Sequence, residues 1–117
     1  MKVKFYHNSA GKRPVLDEIN ELDNQDQAKI IGCFENIQQL GFHSPRVEFR
    51  QIEGKLWEIK IRAHTGGYRF FYVSISKQTL VLLHMLNKKT QKTPPKDKKV
   101  AMTRLKEVIE NEADYIG

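Results

Sequence analysis

The sequence predicts an α+β fold: a small antiparallel β-sheet packed against an N-terminal helical hairpin, with a C-terminal helix. Three consecutive strand-like stretches occupy residues 56–92 and provide the sheet. Apolar residues at helical spacing precede them over residues 14–41 and follow them over residues 97–109, and these provide the helices. A length of 117 residues suits one compact domain over 1–117.

The N-terminal region predicts a short strand followed by two helices. Val3 and Phe5 alternate with polar side chains over residues 2–6, as in a short strand that pairs with a sheet edge. Pro14 suits the first turn of a helix. Asp23 interrupts the helical pattern and can cap a second helix, which ends at a glycine. The apolar residues that define the helices are Val15, Leu16, Ile19 and Leu22 in the first, and Ala28, Ile31, Phe34, Ile37 and Leu40, before Gly41, in the second.

The predicted sheet follows a connecting segment, residues 42–54. Residues 56–64 alternate in a two-residue period, so one face of this strand is apolar and the other is charged. Gly66 and Gly67 supply the backbone freedom of a tight hairpin, and residues 68–75 return as the next strand. Residues 79–86 are almost entirely apolar, as in a strand covered on both faces. The charged face of the first strand carries Leu56, Glu58, Lys60, Arg62 and His64, and its apolar face carries Trp57, Ile59, Ile61 and Ala63.

The end of the chain predicts a C-terminal amphipathic helix, which Asp97 can cap. The N-terminal helical hairpin has the apolar stripe needed to cover one face of the sheet, which gives a two-layer domain. The apolar residues of the C-terminal helix are Val100, Ala101, Leu105, Val108 and Ile109.

The formal net charge of +6 is unevenly distributed along the chain. Residues 14–45 hold one lysine and six carboxylates, whereas residues 55–106 hold thirteen lysines and arginines and two carboxylates. The basic residues alternate along strands beside aromatic residues. This distribution favours a nucleic acid as the partner of the basic half; the alternative is a solvated lysine-rich surface.

Composition argues against secretion, membrane insertion and metal chemistry. The single Cys33 cannot form an internal disulfide, and its place in an apolar helical pattern indicates a packed residue. We find no apolar stretch of about 18 residues and no signal-peptide pattern, so we expect a cytoplasmic protein without membrane contact. The carboxylates lie mainly outside the basic strands and the four histidines are scattered, so we expect no metal and no other cofactor.

The candidate catalytic residues lie on the charged face of the predicted hairpin. Lys60, Arg62 and His64 share one side of the first strand, and Arg69 begins the next. Converging cations can stabilise the charge that develops when an RNA 2′-hydroxyl attacks its own 3′-phosphate, a reaction that requires no metal. Arg62 and Arg69 are the strongest candidates, because guanidinium groups bind phosphate oxygens bidentately. After the last strand we expect Lys88 to join the catalytic cations and Lys89 and Lys92 to bind RNA, and we expect Tyr68 or Tyr72 to stack on bases.

The group that transfers protons stays open at this stage. His64, near the mouth of the hairpin, fits a functional role and a bystander role equally well. Glu58 shares a strand face with Lys60, and it fits a cross-strand ion pair better than it fits a general base. His84 lies inside an apolar strand and fits a hydrogen-bonded core or edge histidine better than a direct role.

Three stretches of the sequence, LWEIKIR, GGYRFFY and LLHMLNKKTQKTPPKDKKVAMTRL, resemble the phage-derived Gp49-like, HigB-type branch of the RelE/ParE toxin superfamily. The resemblance spans nearly the whole chain, and its most specific part is residues 88–94, after the last strand. It implies a small α+β toxin of a type II toxin–antitoxin system. Arg69 matches the arginine that opens the family's middle strand, Lys60 and Arg62 match basic positions on the strand before, and Lys88 and Lys89 match a lysine pair after the last strand.

The resemblance implies ribosome-dependent mRNA cleavage, inhibition of translation, and neutralisation by a cognate antitoxin, often of the helix-turn-helix HigA type. We therefore expect a metal-independent endoribonuclease, an mRNA interferase, with the ribosome and mRNA as partners. ParE relatives share the fold but inhibit gyrase, so a gyrase-inhibiting toxin is the first alternative and a non-catalytic nucleic-acid-binding module the second. The antitoxin is expected to cover either the basic strand face or the acidic helical hairpin.

Overall fold

The computed structural model describes residues 1–87 and 92–116. These residues form five β-strands and three α-helices, which confirms the predicted α+β class. The strands are β1 (Lys2–Phe5), β2 (Glu48–Glu53), β3 (Leu56–Arg62), β4 (Gly67–Ile75) and β5 (Thr79–Asn87). The helices are α1 (Pro14–Asn20), α2 (Asn24–Leu40) and α3 (Pro95–Glu110), with short 3₁₀ turns at Gly41–His43 and Glu112–Asp114.

The described strands join one sheet in the order β1-β5-β4-β3-β2. β3, β4 and β5 are the three consecutive strands that the sequence predicts, and each pairs antiparallel with the next. β1 pairs parallel with β5, so the sheet is mixed and the expectation of a purely antiparallel sheet is wrong at this edge. Most of the chain separates β1 from β5, and no tight turn forces the antiparallel direction on them.

The segment predicted as a connection, residues 42–54, contains the edge strand β2. β2 runs antiparallel to β3 and places Arg50 opposite Glu58. A bulge between Gln51 and Glu53 shifts the register. The alternation of charged and apolar residues is regular only over residues 46–50, before the bulge, and the prediction of a connecting segment is wrong over β2.

Helices cover both faces of the sheet. α1 and α2 pack on one face and α3 on the other, so that on β4 Phe70 and Tyr72 join the first core whereas Phe71 joins the second. The domain therefore has three layers, and the two-layer expectation is wrong. α3 covers the face of β3 that was predicted to be charged, and Leu56 and Glu58 are consequently buried there. β5 is covered on both faces, as predicted.

The buried face of α2 differs from the predicted stripe. The predicted stripe took every third residue, and such a row drifts around a helix of 3.6 residues per turn. Three of its members, Ala28, Ile31 and Leu40, are therefore exposed. The buried apolar residues follow true helical spacing and are Ile30, Cys33, Phe34 and Ile37.

The predicted capping residues mark the helix ends, with one exception. Asp23 caps α2 by accepting a 2.8 Å hydrogen bond from the Asp26 backbone N–H. Gly41 ends α2 with a φ of 61°, a left-handed value that favours glycine. Asp97 lies inside the first turn of α3 instead of capping it. The packing of α1 on α2 as a hairpin stays a prediction, and none of the helices over the described ranges offers the long apolar stretch that a bilayer crossing requires.

Candidate nucleic-acid interface

A cleft of about 880 Å³ lies between the segment that leads into β2 and the turn from β3 to β4. Its lining includes four cationic side chains and one carboxylate. We call it the cationic cleft and define it by Arg46, Lys60, Arg62, His64 and Arg69. The excess of positive charge over its lining suits a ligand that carries phosphate groups.

The β3–β4 hairpin places three of these cations on one face of the sheet. Lys60 and Arg62 alternate with apolar residues along β3, so their side chains project from the same face. Lys60 lies directly opposite Arg69 in the ladder between β3 and β4, which brings Arg69 to that face as well. Arg62 is exposed, whereas Lys60 is partly exposed and lies 3.7 Å from the carboxylate of Glu48.

The turn between β3 and β4 presents His64 to solvent. The sequence predicted that His64 continues the strand, but β3 ends at Arg62 and His64 belongs to the turn. The Ala63 backbone N–H donates a 2.8 Å hydrogen bond to the Gly66 carbonyl and closes this turn. The exposed His64 side chain therefore lines the cleft from a loop whose backbone is held in place.

A buried carboxylate anchors the same turn to α2. Asp26 has no exposed surface, and it accepts hydrogen bonds from the Thr65 backbone N–H at 3.1 Å, from the Tyr68 hydroxyl at 2.6 Å and from the Thr65 hydroxyl. Desolvation raises the pKa of Asp26, but these hydrogen bonds outweigh it and hold the pKa below its usual value. Asp26 is therefore ionised at neutral pH, and it fixes the backbone beside His64.

Arg69 is a buried side chain, only 4% exposed. Its Nε and Nη2 lie 2.7 and 2.6 Å from Oε2 of Glu58. Nη2 also donates to Thr93 Oγ1 at 2.9 Å, and Nη1 donates to the Lys92 carbonyl at 3.2 Å. The protein's own acceptors thus take up donors that were expected to bind phosphate. Direct phosphate contact by Arg69 stays a prediction, and it would require this buried guanidinium to become accessible.

Glu58 lies between two arginines. Its Oε2 contacts Arg69, and its Oε1 lies 2.8 Å from Arg50 Nη2 in a contact with ion-pair geometry and not that of an aligned hydrogen bond. We call Arg50, Glu58 and Arg69 the buried triad, although Arg50 itself is 38% exposed. The sequence predicted that Glu58 forms a cross-strand ion pair, and its contacts with Arg50 on β2 and Arg69 on β4 confirm this prediction. Lys60, which shares the strand and the face of Glu58, contacts Glu48 instead.

A comparison with protein families identifies the chain. The family model described as phage-derived protein Gp49-like (DUF891) matches residues 17–106. The chain belongs to the Gp49-like family. The match begins within α1 and ends within α3, so it includes the cationic cleft and the buried triad. This family is associated with the toxins of toxin–antitoxin systems, which in general implies an antitoxin partner. A search of the curated proteins gave no match.

Two tyrosines that were expected to stack on RNA bases are core residues of this Gp49-like domain. Tyr68 and Tyr72 are each 2% exposed. The Tyr68 hydroxyl donates to Asp26, and the Tyr72 ring packs edge-on against Phe49 with 6.1 Å between centroids. Burial raises the pKa of both phenols, which stay uncharged. Base stacking requires an exposed ring face, so the stacking role expected of these two residues is wrong.

The lysines after β5 fall partly outside the described residues. Lys88 and Lys89 lie outside them. Lys92 is exposed, and its backbone carbonyl accepts the hydrogen bond from Arg69. Lys92 therefore lies at the surface above the buried triad of this Gp49-like domain, and its contact with RNA stays a prediction.

His84 is a half-buried histidine whose hydrogen bond is made within the protein. Its Nε2 lies 2.8 Å from Asp97 Oδ1, and its ring stacks on Phe71 with 6.1 Å between centroids. This environment fits the hydrogen-bonded core or edge histidine that the sequence favoured. Across residues 1–87 and 92–116, no three His, Cys, Asp or Glu side chains converge into a group that could hold a metal ion.

Arg46 is a residue of the cleft that the sequence interpretation missed. It is exposed, and its guanidinium lies so close to α2 that a methyl group at Gly32 would meet it at 3.6 Å. Residues 42–54 were interpreted as a connection, so their charges were not assigned to the site. The available signal was the alternation of Arg46, Glu48 and Arg50 with apolar residues, which is the period of a strand.

Proposed function

We propose that this Gp49-like chain is a HigB-type toxin of the RelE/ParE superfamily, an mRNA interferase that cleaves mRNA on the ribosome in the cytoplasm. The observation that carries the proposal is the cationic cleft, in which Arg46, Arg62 and His64 are exposed around one turn of the hairpin. Cations at this density bind phosphodiesters. The family is associated with toxins, and this association supports mRNA as the target, because loss of mRNA inhibits translation and growth. A HigA-type antitoxin with a helix-turn-helix would neutralise it.

The proposed reaction is a transesterification within the RNA strand. The 2′-oxygen forms a bond to the adjacent phosphorus, the bond from phosphorus to the 5′-oxygen of the next nucleotide breaks, and a 2′,3′-cyclic phosphate results. Arg62 and Lys60 bind the non-bridging oxygens and offset the negative charge of the transition state. His64 accepts the proton that the attacking 2′-hydroxyl loses, and the leaving 5′-oxygen takes a proton from the protonated imidazole or from water. The cationic side chains thereby provide the charge stabilisation that other nucleases obtain from a metal ion.

The buried triad contributes to this cleft by holding Arg69 in position. Arg69 lies opposite Lys60 across the hairpin, and Glu58 holds it in place. Arg69 is therefore a positioning residue in this proposal, and direct contact with phosphate is the alternative role. Lys92 lies at the surface beyond the triad and adds a contact with RNA of the substrate or the ribosome.

The substitution Arg62→Ala tests the proposed function. Removal of one contact with a charged group lowers the rate by roughly 10- to 100-fold. We expect induction of the wild-type chain to produce mapped 5′ ends within mRNAs and growth arrest, and Arg62→Ala to lose most of both. Arg13→Ala is the matched control, because Arg13 is an exposed arginine outside the cleft. It should cleave like the wild type.

Three outcomes would contradict this function. Intact transcripts together with gyrase poisoning in a supercoiling assay would assign the chain to the ParE-like alternative. RNA binding without growth arrest would indicate a non-catalytic binding module. Unchanged cleavage by Arg62→Ala would show that the cationic cleft is not the active site. His64→Gln separates RNA binding from cleavage, since it should slow cleavage while RNA affinity stays within about twofold of the wild type.

A further inference from the structure

The two walls of the cationic cleft are both attached to α2. The turn from β3 to β4 is attached through Asp26, which accepts hydrogen bonds from Thr65 and Tyr68. The segment that leads into β2 is attached further along the helix, where the Ser44 hydroxyl donates a hydrogen bond to the Asn36 side chain. The stretch of α2 between these two attachments therefore spans the gap between the two walls of the cleft.

Lys29 lies on this stretch of α2, three residues after Asp26. At 3.6 residues per turn, Lys29, Gly32 and Asn36 lie on the same flank of the helix as Asp26. The Lys29 side chain is exposed. Residues 14–45 hold six carboxylates and one lysine, and Lys29 is that lysine. The single lysine of this acidic region thus lies where the cationic cleft meets α2.

The Arg46 guanidinium lies one helical turn from Lys29, on the same flank of α2. Both of its terminal nitrogens are 3.6 Å from the position that a methyl group at Gly32 would occupy. Burial raises the pKa of the Cys33 thiol, and the positive charges of Arg46 and Lys29 oppose this rise. Both cations therefore lie close to the same buried atom. We call the surface formed by Lys29, Gly32 and Arg46 the α2 flank.

The two cations of the α2 flank have no counter-charge in the part of the chain that the structure describes. Over residues 1–87 and 92–116, neither the Lys29 ammonium nor the Arg46 guanidinium forms an ion pair or a hydrogen bond. Asp26, the carboxylate one turn before Lys29, is buried and bound by the turn. Neighbouring cations repel each other, and a bound anion relieves that repulsion. Gly32 adds no side chain between them, so an anion can approach the helix closely.

From this arrangement we infer that Lys29 and Arg46 form a second phosphate subsite, which binds the RNA backbone outside the cationic cleft. The inference rests on the proposed function, in which the cleft holds the phosphate that is cleaved. A strand held there continues beyond the cleft, and the carboxylates of residues 14–45 repel it along the helices. The α2 flank offers it two free cations instead. The substrate is therefore a single strand that carries at least one phosphate beyond the cleaved one.

The salt dependence of RNA binding tests the subsite. The probe is a 2′-O-methylated single-stranded RNA of about eight nucleotides, which cannot be cleaved because the attacking hydroxyl is blocked. Each phosphate contact contributes about 0.7 to the slope of log affinity against log salt. Lys29→Ala should lose about that much of the slope, and its affinity should fall about fivefold at about 0.1 M salt. Lys29→Arg keeps the charge and should keep the slope.

Lys106→Ala is the matched control. Lys106 is also an exposed lysine on a helix, but it belongs to α3, which packs on the other face of the sheet. This variant should bind the probe like the wild type. Equal slopes for Lys29→Ala and Lys106→Ala would overturn the inference and leave Lys29 as a solvated lysine. A lower affinity of Lys29→Ala at an unchanged slope would overturn it too, because the loss would not come from a phosphate contact.

A dinucleotide distinguishes the second subsite from the first. It carries a single phosphate, which the cleft takes up, so a 2′-O-methylated dinucleotide should compete for the wild type and for Lys29→Ala equally well. Weaker competition for Lys29→Ala would place Lys29 at the cleaved phosphate and overturn the second subsite. If the wild type cleaves no mRNA, the proposed function fails. A slope that Lys29→Ala loses would even then establish the α2 flank as a binding site for a nucleic-acid strand.

Discussion

Arg62 and Arg69 lie on the two strands of one hairpin and occupy opposite environments. Arg62 is exposed in the cationic cleft, whereas Arg69 is 4% exposed and bound by Glu58. Both arginines project from the same face of the sheet, so neither residue type nor strand face distinguishes them. The difference comes from the segment that leads into α3, where Thr93 covers Arg69 and accepts one of its hydrogen bonds.

These two neighbouring arginines therefore differ in role, since the buried Arg69 contributes to stability and the exposed Arg62 remains accessible to a ligand. An exposed guanidinium contributes little to folding and remains accessible to a phosphate, whereas a buried one must satisfy its donors within the protein. Substitutions of the exposed cleft residues Arg46, Arg62 and His64 should therefore change cleavage and leave the fold intact. Substitutions in the buried triad should lower the free energy of unfolding first, and their effect on activity should follow from that loss.

The largest effect should come from Glu58→Ala. Glu58 has no exposed surface, and its removal leaves Arg69 buried without its counter-charge. Breaking a buried ion pair in this way costs about 3–5 kcal/mol of unfolding free energy. Urea unfolding followed by circular dichroism measures the loss. It should be large enough to shift the unfolding midpoint well below that of the wild type.

Glu53→Ala is the matched control for this prediction. Glu53 forms an ion pair of 2.7 Å with Lys98, but the two side chains are 55% and 37% exposed. Exposed pairs of this kind contribute about 0–1 kcal/mol. If Glu58→Ala costs no more than Glu53→Ala, the triad is not a stabilising element, and Arg69 is better regarded as a ligand-binding residue like Arg62.

Asp26→Asn should have a smaller effect that depends on pH. The hydrogen bonds from Thr65 and Tyr68 hold the folded-state pKa of Asp26 below its unfolded value. The charged carboxylate therefore adds stability above the ordinary aspartate pKa of about 3.9, and this stability is lost as the pH falls through the lower folded-state pKa. The variant should be less stable than the wild type at pH 7 and should lose less stability on acidification.

Urea unfolding at a series of pH values from about 7 to 2 measures this difference. Asp17→Asn is the control, because Asp17 is exposed on α1 and makes none of these hydrogen bonds to the turn. It should keep the acid-dependent loss of the wild type. Parallel curves for the wild type and Asp26→Asn would show that Asp26 does not anchor the turn that presents His64.

The sequence predicted the elements of the fold better than their arrangement. β3, β4 and β5 were predictable because their alternation and the Gly-Gly turn are local signals. β2 was missed although residues 46–50 alternate, because the bulge before Glu53 limits that alternation to a short run. The third layer was not predictable either, since the polar side chains of β3 concealed that α3 covers Leu56 and Glu58. A buried ion pair has the same sequence pattern as a solvated charged face.

The same ambiguity limited the candidate site. Lys60 and Arg62 were found because strand alternation places them together, and the structure keeps both at the cleft. Tyr68 and Tyr72 were misassigned because an aromatic residue on a strand suits a core as well as a stacking platform. Arg46 was missed although its alternation with apolar residues was a local signal, whereas Asp26 was missed because its partners lie on a distant hairpin. Such long-range contacts leave no local pattern.

The smallest effect should come from Arg46→Ala. This variant would show whether the RNA-binding part of the cleft extends to Arg46. Each phosphate contact in single-stranded RNA contributes about 0.7 to the slope of log affinity against log salt, so this variant should lose about that much. Fluorescence anisotropy with a 2′-O-methylated RNA measures binding without cleavage, because the attacking hydroxyl is blocked. Lys77→Ala, an exposed lysine on the turn between β4 and β5, should leave the slope unchanged. If both variants share the wild-type slope, Arg46 packs against α2 without contacting RNA, and the phosphate contacts are confined to the β3–β4 hairpin.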